Sequence, residues 1–305
     1  MGKENAGITK KPRNRLFGKD ENLWGYVFIS VAVIVFCLFT LYPIINACII
    51  SMQKYNPIQS KWVGTANFEA LLKDKLFFKS IKNTVVYTVL TVPINIAISF
   101  ALAILIIPFK KRTQTVFKAL YYLPGVASGV SLSVVWLWIY SSLPTGLLNQ
   151  LIGLLGLESQ NWLGQSKTAM FSLVLMSWLS NHGTSVIIYI AALLAIPNDY
   201  YEAAAIDSAT FLQKLRYIVL PMVKPTTLFL FVTGIITSFQ VFMNAYMMTG
   251  GGPDNNTTMV GLLIFNNAFK YSEFGKASAQ ALVLAAVIAV ISLLQFKFMG
   301  DEVEY

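Results

Sequence analysis

Glu202 is the acidic side chain best placed for recognition, because it precedes three consecutive alanines, Ala203–Ala205. Alanine leaves a helix backbone nearly bare, so another protein's groove can close tightly around it, and one carboxylate supplies a directional charge. Asp207 and Ser208 follow, and both residue types favour a helix cap or turn. An ordinary capped helix at an interface explains these residues equally well, so both readings stay open.

Polar and aromatic side chains inside long apolar runs form a second group of candidates. Buried polar groups are costly in lipid and mark a pathway, although hydrogen bonding between helices explains each of them too. Gln240 and Asn244 are four residues apart and are predicted to share one helix face. The pathway candidates are Gln240, Asn244, Asn181, Ser185, Asn95, Trp136 and Tyr246, with Ser128, Ser131 and His182 as further polar positions.

Several kinds of chemistry have too few residues here. His182 is the only histidine, and Cys37 and Cys48 lie about 16 Å apart along one helix, so neither a metal cluster nor a disulfide between them is expected. The apolar runs hold no Asp, Glu, Lys or Arg near their middles. An ion-coupled transporter or a membrane enzyme would need such groups, so we expect no catalytic residue and no bound metal.

The composition indicates that lipid is the solvent. Hydrophobic residues make up 56% of the 305 residues and charged residues 12%, against about 25% charged in an average soluble domain. Six apolar runs are long enough to cross a bilayer as helices. They are Gly25–Ile50, Thr84–Ile107, Lys118–Tyr140, Thr168–Ile190, Thr226–Met248 and Ser278–Phe298.

Charge in the connections predicts the orientation. All four arginines lie on the N-terminal arm and on the second and fourth connections, and this places both termini in the cytoplasm. The lysines of the first connection argue the other way, but the arginines and the basic arm outweigh them. We therefore divide the chain into a cytoplasmic arm (1–24), a transmembrane domain (25–298) with a cytoplasmic loop (197–225), and a tail (299–305).

Three connections have predicted structure. Asn67–Ile81 has apolar residues at helical spacing and predicts an interfacial helix, while Gly250–Pro253 predicts a turn. In the fourth connection, Asp199 and Glu202 form a capping-box pattern before a helix at Tyr200–Ile206. A second helix is expected over Ala209–Val219. Asp207 or Ser208 would cap it, and Pro221 and Pro225 would end it.

The fourth connection resembles the EAA loop of permeases in binding-protein-dependent ABC importers. Glu202-Ala203-Ala204, Asp207 and Leu220-Pro221 match the pattern, and Ser208 stands where the family usually has glycine. The resemblance covers nearly the whole chain beyond the arm. Stretches similar to the sugar-type permeases, which handle oligosaccharides, sugar derivatives and glycerol phosphate, are Trp62–Leu72, Tyr121–Tyr140, Gly251–Pro253 and Phe274–Ala279.

This resemblance implies an all-α polytopic membrane protein with the type I ABC importer permease fold. The coupling residues would be Glu202, Ala203, Ala204, Asp207, Ser208 and Pro221. The implied partners are a second permease, often a different chain, two cytoplasmic ATPase subunits, and an extracellular solute-binding protein that delivers carbohydrate. ATP and Mg would bind the ATPases, since this chain lacks a phosphate-cradling GxxxxGK[ST] loop. It would thus be a transport subunit of a bacterial cell membrane with no cofactor and no nucleic-acid partner.

The solute and its route stay open at this stage. The absence of a charge in the spans favours a neutral sugar, on which Trp136 and Tyr246 can stack. Helix dipoles or the partner subunit can still bind an acidic oligosaccharide or glycerol phosphate. An ion-coupled secondary transporter, a membrane enzyme and a scaffold without a transport role are the remaining alternatives, and none of them needs the EAA loop.

Overall fold

The structure is a computed structural model that describes residues 20–180 and 182–299. The predicted arm and tail lie largely outside these residues, and so does Asn181. The chain divides into two units between Ile49 and Ile50. The first unit is helical, with α1 at Asp20–Phe36, a π-helical turn at Cys37–Leu41, and α2 beginning at Tyr42 and ending at Ser51. Together they form a candidate membrane span, Gly25–Ser51, of 27 residues.

Two further helices are long and apolar enough to cross a membrane without a break. They are α4 (Lys75–Ile106) and α16 (Phe274–Met299). The helix α4 begins at Lys75 rather than at the predicted Thr84, because the Asp74 side chain accepts hydrogen bonds from the backbone N–H groups of Leu76 and Phe77. The same break ends α3 (Ala66–Lys73), so the predicted interfacial helix is shorter than expected.

The other three apolar runs are interrupted, so none of them is a single continuous helix. The third run contains α5 (Lys111–Val126) and α6 (Gly129–Ile139), which meet at 97°. Ala127 and Ser128 have extended backbones there, and the Ser128 hydroxyl caps α6 by accepting from the Ser131 N–H. The remaining interrupted helices are α8 (Ala169–Ser180), α9 (Gly183–Leu194), α13 (Lys224–Phe239) and α14 (Met243–Met248).

The number of candidate spans therefore depends on how bent pairs are counted. Among the described residues there are three uninterrupted candidates, or up to six if each bent pair crosses as one span. The remaining short elements of this part of the chain are the antiparallel strands β1 (Gln53–Tyr55) and β2 (Ser60–Trp62), α7 (Leu147–Gly153) and α15 (Val260–Phe265), with a π-helical turn at Asn266–Lys270.

The fourth connection folds into helices, but its caps differ from the prediction. The helix α10 (Asn198–Ile206) begins after Pro197 without a side-chain cap, so Asp199 lies in its first turn. Thr210 and Gln213, rather than Asp207 or Ser208, form the capping box of the next helix. That stretch consists of α11 (Phe211–Lys214), a π-helical turn (Leu215–Val219) and α12 (Leu220–Met222), and it meets α13 at 63°.

The helix α4 is central to the second unit, because α8, α9 and α13 all pack against it. The helix α5 approaches α9 so closely that a Cβ on Gly183 would lie 2.5 Å from the Tyr121 carbonyl oxygen. Gly125 and Gly129 belong to two helices that meet at 97°, so these two glycines do not lie on one helix face. These contacts fix the helices whose polar side chains face one another.

The hairpin β1–β2 is held against the start of α16. The Asn67 amide donates to the backbone carbonyls of Ser51 and Gln53 at 2.7 and 2.9 Å, and Lys276 pairs with Asp74 at 2.9 Å. Burial alone would raise the pKa of the Asp74 carboxyl. Asp74 accepts hydrogen bonds from Lys276 and from the backbone N–H groups of Phe77 and Leu76. Together with the charge of Lys276, these bonds outweigh burial and lower the pKa of the Asp74 carboxyl.

Gly275→Ala tests this attachment. A Cβ on Gly275 would lie 1.9 Å from the Gln53 carbonyl oxygen, a backbone atom that cannot turn away. We expect the substitution to lower the free energy of unfolding in detergent by roughly 1–3 kcal/mol, since the hairpin must shift. Gly153→Ala is the matched control, because nothing lies within 4 Å of its added Cβ. Equal thermal midpoints for the two variants would contradict the close approach.

Candidate functional site

A cavity of about 330 Å³ lies between α4, α8, α9, α13 and α14. No charged residue lines it, and its polar groups are hydroxyls and amides. The apolar remainder of the wall comes from Val92, Ile96, Leu230, Gly234 and Val241. Its polar lining consists of Tyr87, Thr91, Asn95, Ser177, Ser185, Thr237, Ser238 and Asn244.

Three of the predicted pathway residues meet in this cavity. Asn95 comes from α4, Ser185 from α9 and Asn244 from α14, so the fold joins positions far apart in sequence. The Asn95 amide nitrogen donates to the Ser177 hydroxyl at 2.9 Å. The carbonyl oxygen of the same side chain is buried without a hydrogen-bond partner. A buried unpaired acceptor costs about 1–3 kcal/mol, and a ligand hydroxyl at this place would satisfy it.

The position of Asn244 depends on a break in the fifth run. The helix α13 ends at Phe239, and Gln240, Val241 and Phe242 leave the helical path before α14 begins at Met243. The chain packs closely there, since a Cβ on Gly261 would lie 3.0 Å from the Val241 carbonyl oxygen. Gln240 is exposed and does not line the cavity, so the prediction that it shares a helix face with Asn244 was wrong.

The two aromatic candidates lie elsewhere. Trp136 is buried in the core, donates from its indole nitrogen to the Ser180 hydroxyl at 2.9 Å, and packs on Tyr140. Tyr246 is 44% exposed and lies against Phe242, with ring centroids 5.3 Å apart and an interplanar angle of 23°. Tyr246 lines a second concave site, which also includes Phe265, Asn266, Phe269 and Lys270.

The remaining polar candidates are also outside the cavity. His182 is buried, with its Nδ1 atom 3.2 Å from the Ser99 hydroxyl and its other ring nitrogen against the Trp178 carbonyl. Ser128 and Ser131 are exposed at the bend between α5 and α6. Hydrogen bonds within the protein account for these three side chains, and Asn181 lies outside the described residues.

Five of the eight polar lining residues, Tyr87, Thr91, Ser177, Thr237 and Ser238, are not among the residues predicted from the sequence. Tyr87 and Thr91 precede Asn95 at intervals of four, so one stripe along α4 faces the cavity, and this spacing was a readable signal. The Ser238 hydroxyl forms hydrogen bonds with the hydroxyls of Thr88 and Thr91, with oxygen–oxygen distances of 2.9 and 3.4 Å. Serine and threonine are common in membrane helices for packing, so their presence in an apolar run does not by itself indicate a cavity.

The EAA stretch lies in α10 and its C-terminal turn. Glu202, Ala203, Ala205 and Asp207 are exposed, whereas Ala204 is buried against the body of the second unit. Large apolar side chains are also exposed in this connection, and Ile206 is 85% accessible. They are Tyr200, Ile206, Phe211, Leu212, Tyr217 and Leu220, and Pro221 is exposed in α12. Nearby, burial raises the pKa of the Tyr201 hydroxyl.

Ser208 ends α10 with a left-handed backbone. Its φ is 54°, the Ala209 N–H donates to the Ala204 carbonyl at 2.9 Å, and the Ser208 N–H donates to the Ala205 carbonyl at 3.1 Å. This pair of bonds is a Schellman motif, whose left-handed position favours glycine. The structure thus gives a physical reason why glycine suits this place in the resembling family, and serine retains the turn.

Comparison with known proteins decides the family. The family of binding-protein-dependent transport system inner membrane components matches residues 70–298. The chain belongs to this family. The arabinooligosaccharides transport system permease protein AraP of Bacillus subtilis is 32% identical, over 90% of this chain and 88% of that protein. The lactose transport system permease protein LacF of Rhizobium radiobacter is also 32% identical, over 89% and 92%.

Solved structures share the fold of this permease. A bacterial ABC transporter involved in the import of the acidic polysaccharide alginate superposes with a TM-score of 0.82, at 23% identity over 93% of this chain and 98% of that one. A bacterial alginate ABC transporter in complex with an alginate pentasaccharide-bound periplasmic protein gives a TM-score of 0.80 at 22% identity, over 90% and 93%. The chain therefore has the fold of ABC importer permeases.

Two amide side chains provide a test of the cavity. We expect Asn95→Leu to change the free energy of unfolding by about 1 kcal/mol or less, since it removes an unsatisfied acceptor together with one hydrogen bond. Asn149→Leu is the comparison, because the Asn149 side chain bonds Ser141, Leu143, Gln160 and Trp162. We expect Asn149→Leu to lower the free energy of unfolding by roughly 2–5 kcal/mol. Thermal unfolding in detergent measures both, and a larger loss for Asn95→Leu would assign that residue to packing.

The turn at Ser208 gives a second test. Ser208→Gly should stabilise the end of α10 by about 1 kcal/mol, because glycine adopts a positive φ without a steric penalty. Ala205→Gly in the same helix should have the opposite effect, since glycine destabilises a helix interior by about 1 kcal/mol. The rate of tryptic cleavage at Lys214 and Arg216 reports both changes. Faster cleavage in Ser208→Gly would show that the turn is not strained.

Proposed function

We propose that this chain is the membrane-spanning permease subunit of an ATP-driven importer. It translocates a sugar or oligosaccharide that an extracellular solute-binding protein delivers. The observation that carries the proposal is an uncharged cavity, lined by hydroxyls and amides, in a member of a binding-protein-dependent transport family. Relatives at 32% identity, matched over about nine-tenths of this chain, are permeases for arabinooligosaccharides and lactose.

The chemistry of the cavity supports a neutral polar solute. Sugar hydroxyls both donate and accept hydrogen bonds, and the lining offers donors and acceptors of both kinds, including the unpaired Asn95 oxygen. A fixed charge for an acidic oligosaccharide or glycerol phosphate is missing from this wall. These solutes are the alternative within the same family, with an ion-coupled transporter a more distant one, since no carboxylate lines the cavity.

The fourth connection supplies the surface for the ATPase. Glu202 offers an exposed carboxylate, and the small exposed side chains of Ala203 and Ala205 let a groove approach the α10 backbone. Ala204 is buried and anchors α10 to the body of the permease. Asp207 and Ser208 form the turn, and Pro221 lies on the path that leads to α13. The exposed apolar side chains of this connection would be covered by the same partner.

This surface couples ATP binding to movement of the spans. The two ATPase subunits bind ATP and Mg, so the permease needs no cofactor of its own and performs no catalysis. Closure of the ATPases would push α10, and the contiguous α11, α12 and α13 would carry the displacement to the cavity wall at Thr237 and Ser238. A second permease subunit, often a different chain, would complete the pathway on the other side.

The distribution of arginine supports the orientation. We place the chain in the bacterial cell membrane as a multi-pass protein with both termini and loop 197–225 in the cytoplasm. The hairpin β1–β2 and the turn at Gly250–Pro253 then face outward, where the binding protein docks. Gly250 and Gly251 have positive φ angles of 59° and 92° in that turn, as its glycine content predicts.

Gentle purification from the native membrane, followed by mass spectrometry, tests the proposal as a whole. We expect an ATPase subunit, a second permease and a solute-binding protein to accompany this chain. The binding protein can then be screened against neutral and acidic oligosaccharides and glycerol phosphate, which separates the main proposal from its alternative. Recovery of the chain alone, in a detergent that preserves such complexes, would favour a secondary transporter or a scaffold.

Glu202→Lys tests the coupling surface. The reversed charge should abolish the ion pair with the ATPase, so we expect recovery of the ATPase and sugar uptake to fall at least about tenfold while the permease stays inserted. Glu158→Lys is the control, because Glu158 is an exposed acidic residue far along the chain from α10. If Glu202→Lys retains normal uptake and ATPase association, the coupling role is wrong.

A further inference from the structure

Six aromatic rings follow one another from the break in the fifth run to the hairpin. Each ring centroid lies between 4.7 and 6.2 Å from its neighbour in this series. The rings come from α14 and its N-cap, α15, the following π-helical turn, α16 and β1. We call this series the aromatic row, and its members are Phe242, Tyr246, Phe265, Phe269, Phe274 and Tyr55.

The aromatic row is accessible along its length. Phe269 is 69% exposed, Tyr246 44% and Tyr55 36%, and the other three rings are half-buried. The π-helical turn Asn266–Lys270 carries Phe269 on its outer side, in contact with Phe265 at 5.2 Å. Such turns are usually single interruptions of a helix and are frequent at functional sites. The row is thus a series of accessible rings that meet at interplanar angles between 23° and 84°, rather than a closed core.

Polar groups accompany the rings at one concave point. A site of about 400 Å³ is lined by Tyr246, Gly250, Phe265, Asn266, Phe269 and Lys270. The Lys270 ammonium lies 5.7 Å from the centroid of the Tyr271 ring, at the edge of this site. Within the described residues, the Asn266 side chain makes no hydrogen bond. Flat apolar faces with a few convergent polar groups are the usual composition of a small-ligand site.

We propose that the aromatic row is a second carbohydrate-binding surface, along which an oligosaccharide chain lies before it enters the cavity. The inference rests on the proposed function and adds a site to it. A sugar ring presents C–H groups on its faces and hydroxyls at its edges. The C–H faces can stack on the rings of the row, while Asn266 and Lys270 bind the hydroxyls.

The short helix α14 separates this surface from the cavity. Phe242 and Tyr246 are four residues apart and lie on the side of the row, whereas Val241 and Asn244 line the cavity. The helix α14 therefore presents the Tyr246 ring to one concave site and the Asn244 amide to the other. The row begins where the cavity wall ends, which is the arrangement that a stepwise transfer of a sugar chain requires.

Uptake as a function of sugar length tests the proposal. Cells that make the complete transporter receive two labelled pairs, arabinobiose with arabinohexaose and maltose with maltohexaose. Phe269→Ala and Tyr246→Ala should lower uptake of the hexamer roughly three- to tenfold relative to the dimer, because only the longer chain spans several rings. Phe269→Tyr and Tyr246→Phe should restore uptake. Phe229→Ala, which removes an exposed ring outside the row, should change neither rate.

The outcomes separate the two proposals. If the wild-type transporter takes up neither pair, the sugar-importer proposal fails for these sugars and the row fails with it. If the wild type takes up a pair but Phe269→Ala and Tyr246→Ala lower dimer and hexamer equally, the rings serve the contact with the second permease and the row is not a sugar surface. Unchanged uptake of both lengths would also overturn it.

Discussion

The hydrocarbon core of a membrane offers no water to an interrupted helix, so each break in a span must be compensated by protein or must border a polar cavity. The breaks in this permease obey that constraint. Ser128 caps α6 with its own hydroxyl, and the irregular backbone at Val241 packs against Gly261 beside the cavity. The interruption of the fifth run and the site are therefore one feature of the fold, since the break turns Asn244 toward the cavity.

The same break separates the cavity from the aromatic row. On a continuous helix through Phe239 and Met243, residues four apart would share one face, as predicted for Gln240 and Asn244. Because the chain leaves the helical path for three residues, α14 starts with a new orientation. It then directs Asn244 to the cavity and Tyr246 to the aromatic row, which lets six residues contact two sites.

The sequence predicted the class of protein, the six apolar runs and the EAA loop, because hydropathy and short motifs are local properties. It did not predict the interruption near Gln240, since no proline or glycine stands there and the break follows from packing against α15. The stripe of Tyr87, Thr91 and Asn95 was readable from its spacing. Whether this stripe faces a cavity depends on the positions of α8, α9 and α13, which no local sequence pattern predicts.

The turn at Ser208 shows how a local departure from a family pattern can leave the backbone geometry of a turn unchanged. The Schellman bonds come from the backbone N–H groups of Ser208 and Ala209, so they do not depend on the side chain at residue 208. Serine adds a steric cost of about 1 kcal/mol to the left-handed backbone and leaves its direction unchanged. The angle between α10 and α11 is then set by those bonds and by the Thr210 capping box. The backbone hydrogen bonds of this turn are therefore available to serine and to glycine alike, and only the steric cost at residue 208 differs between them.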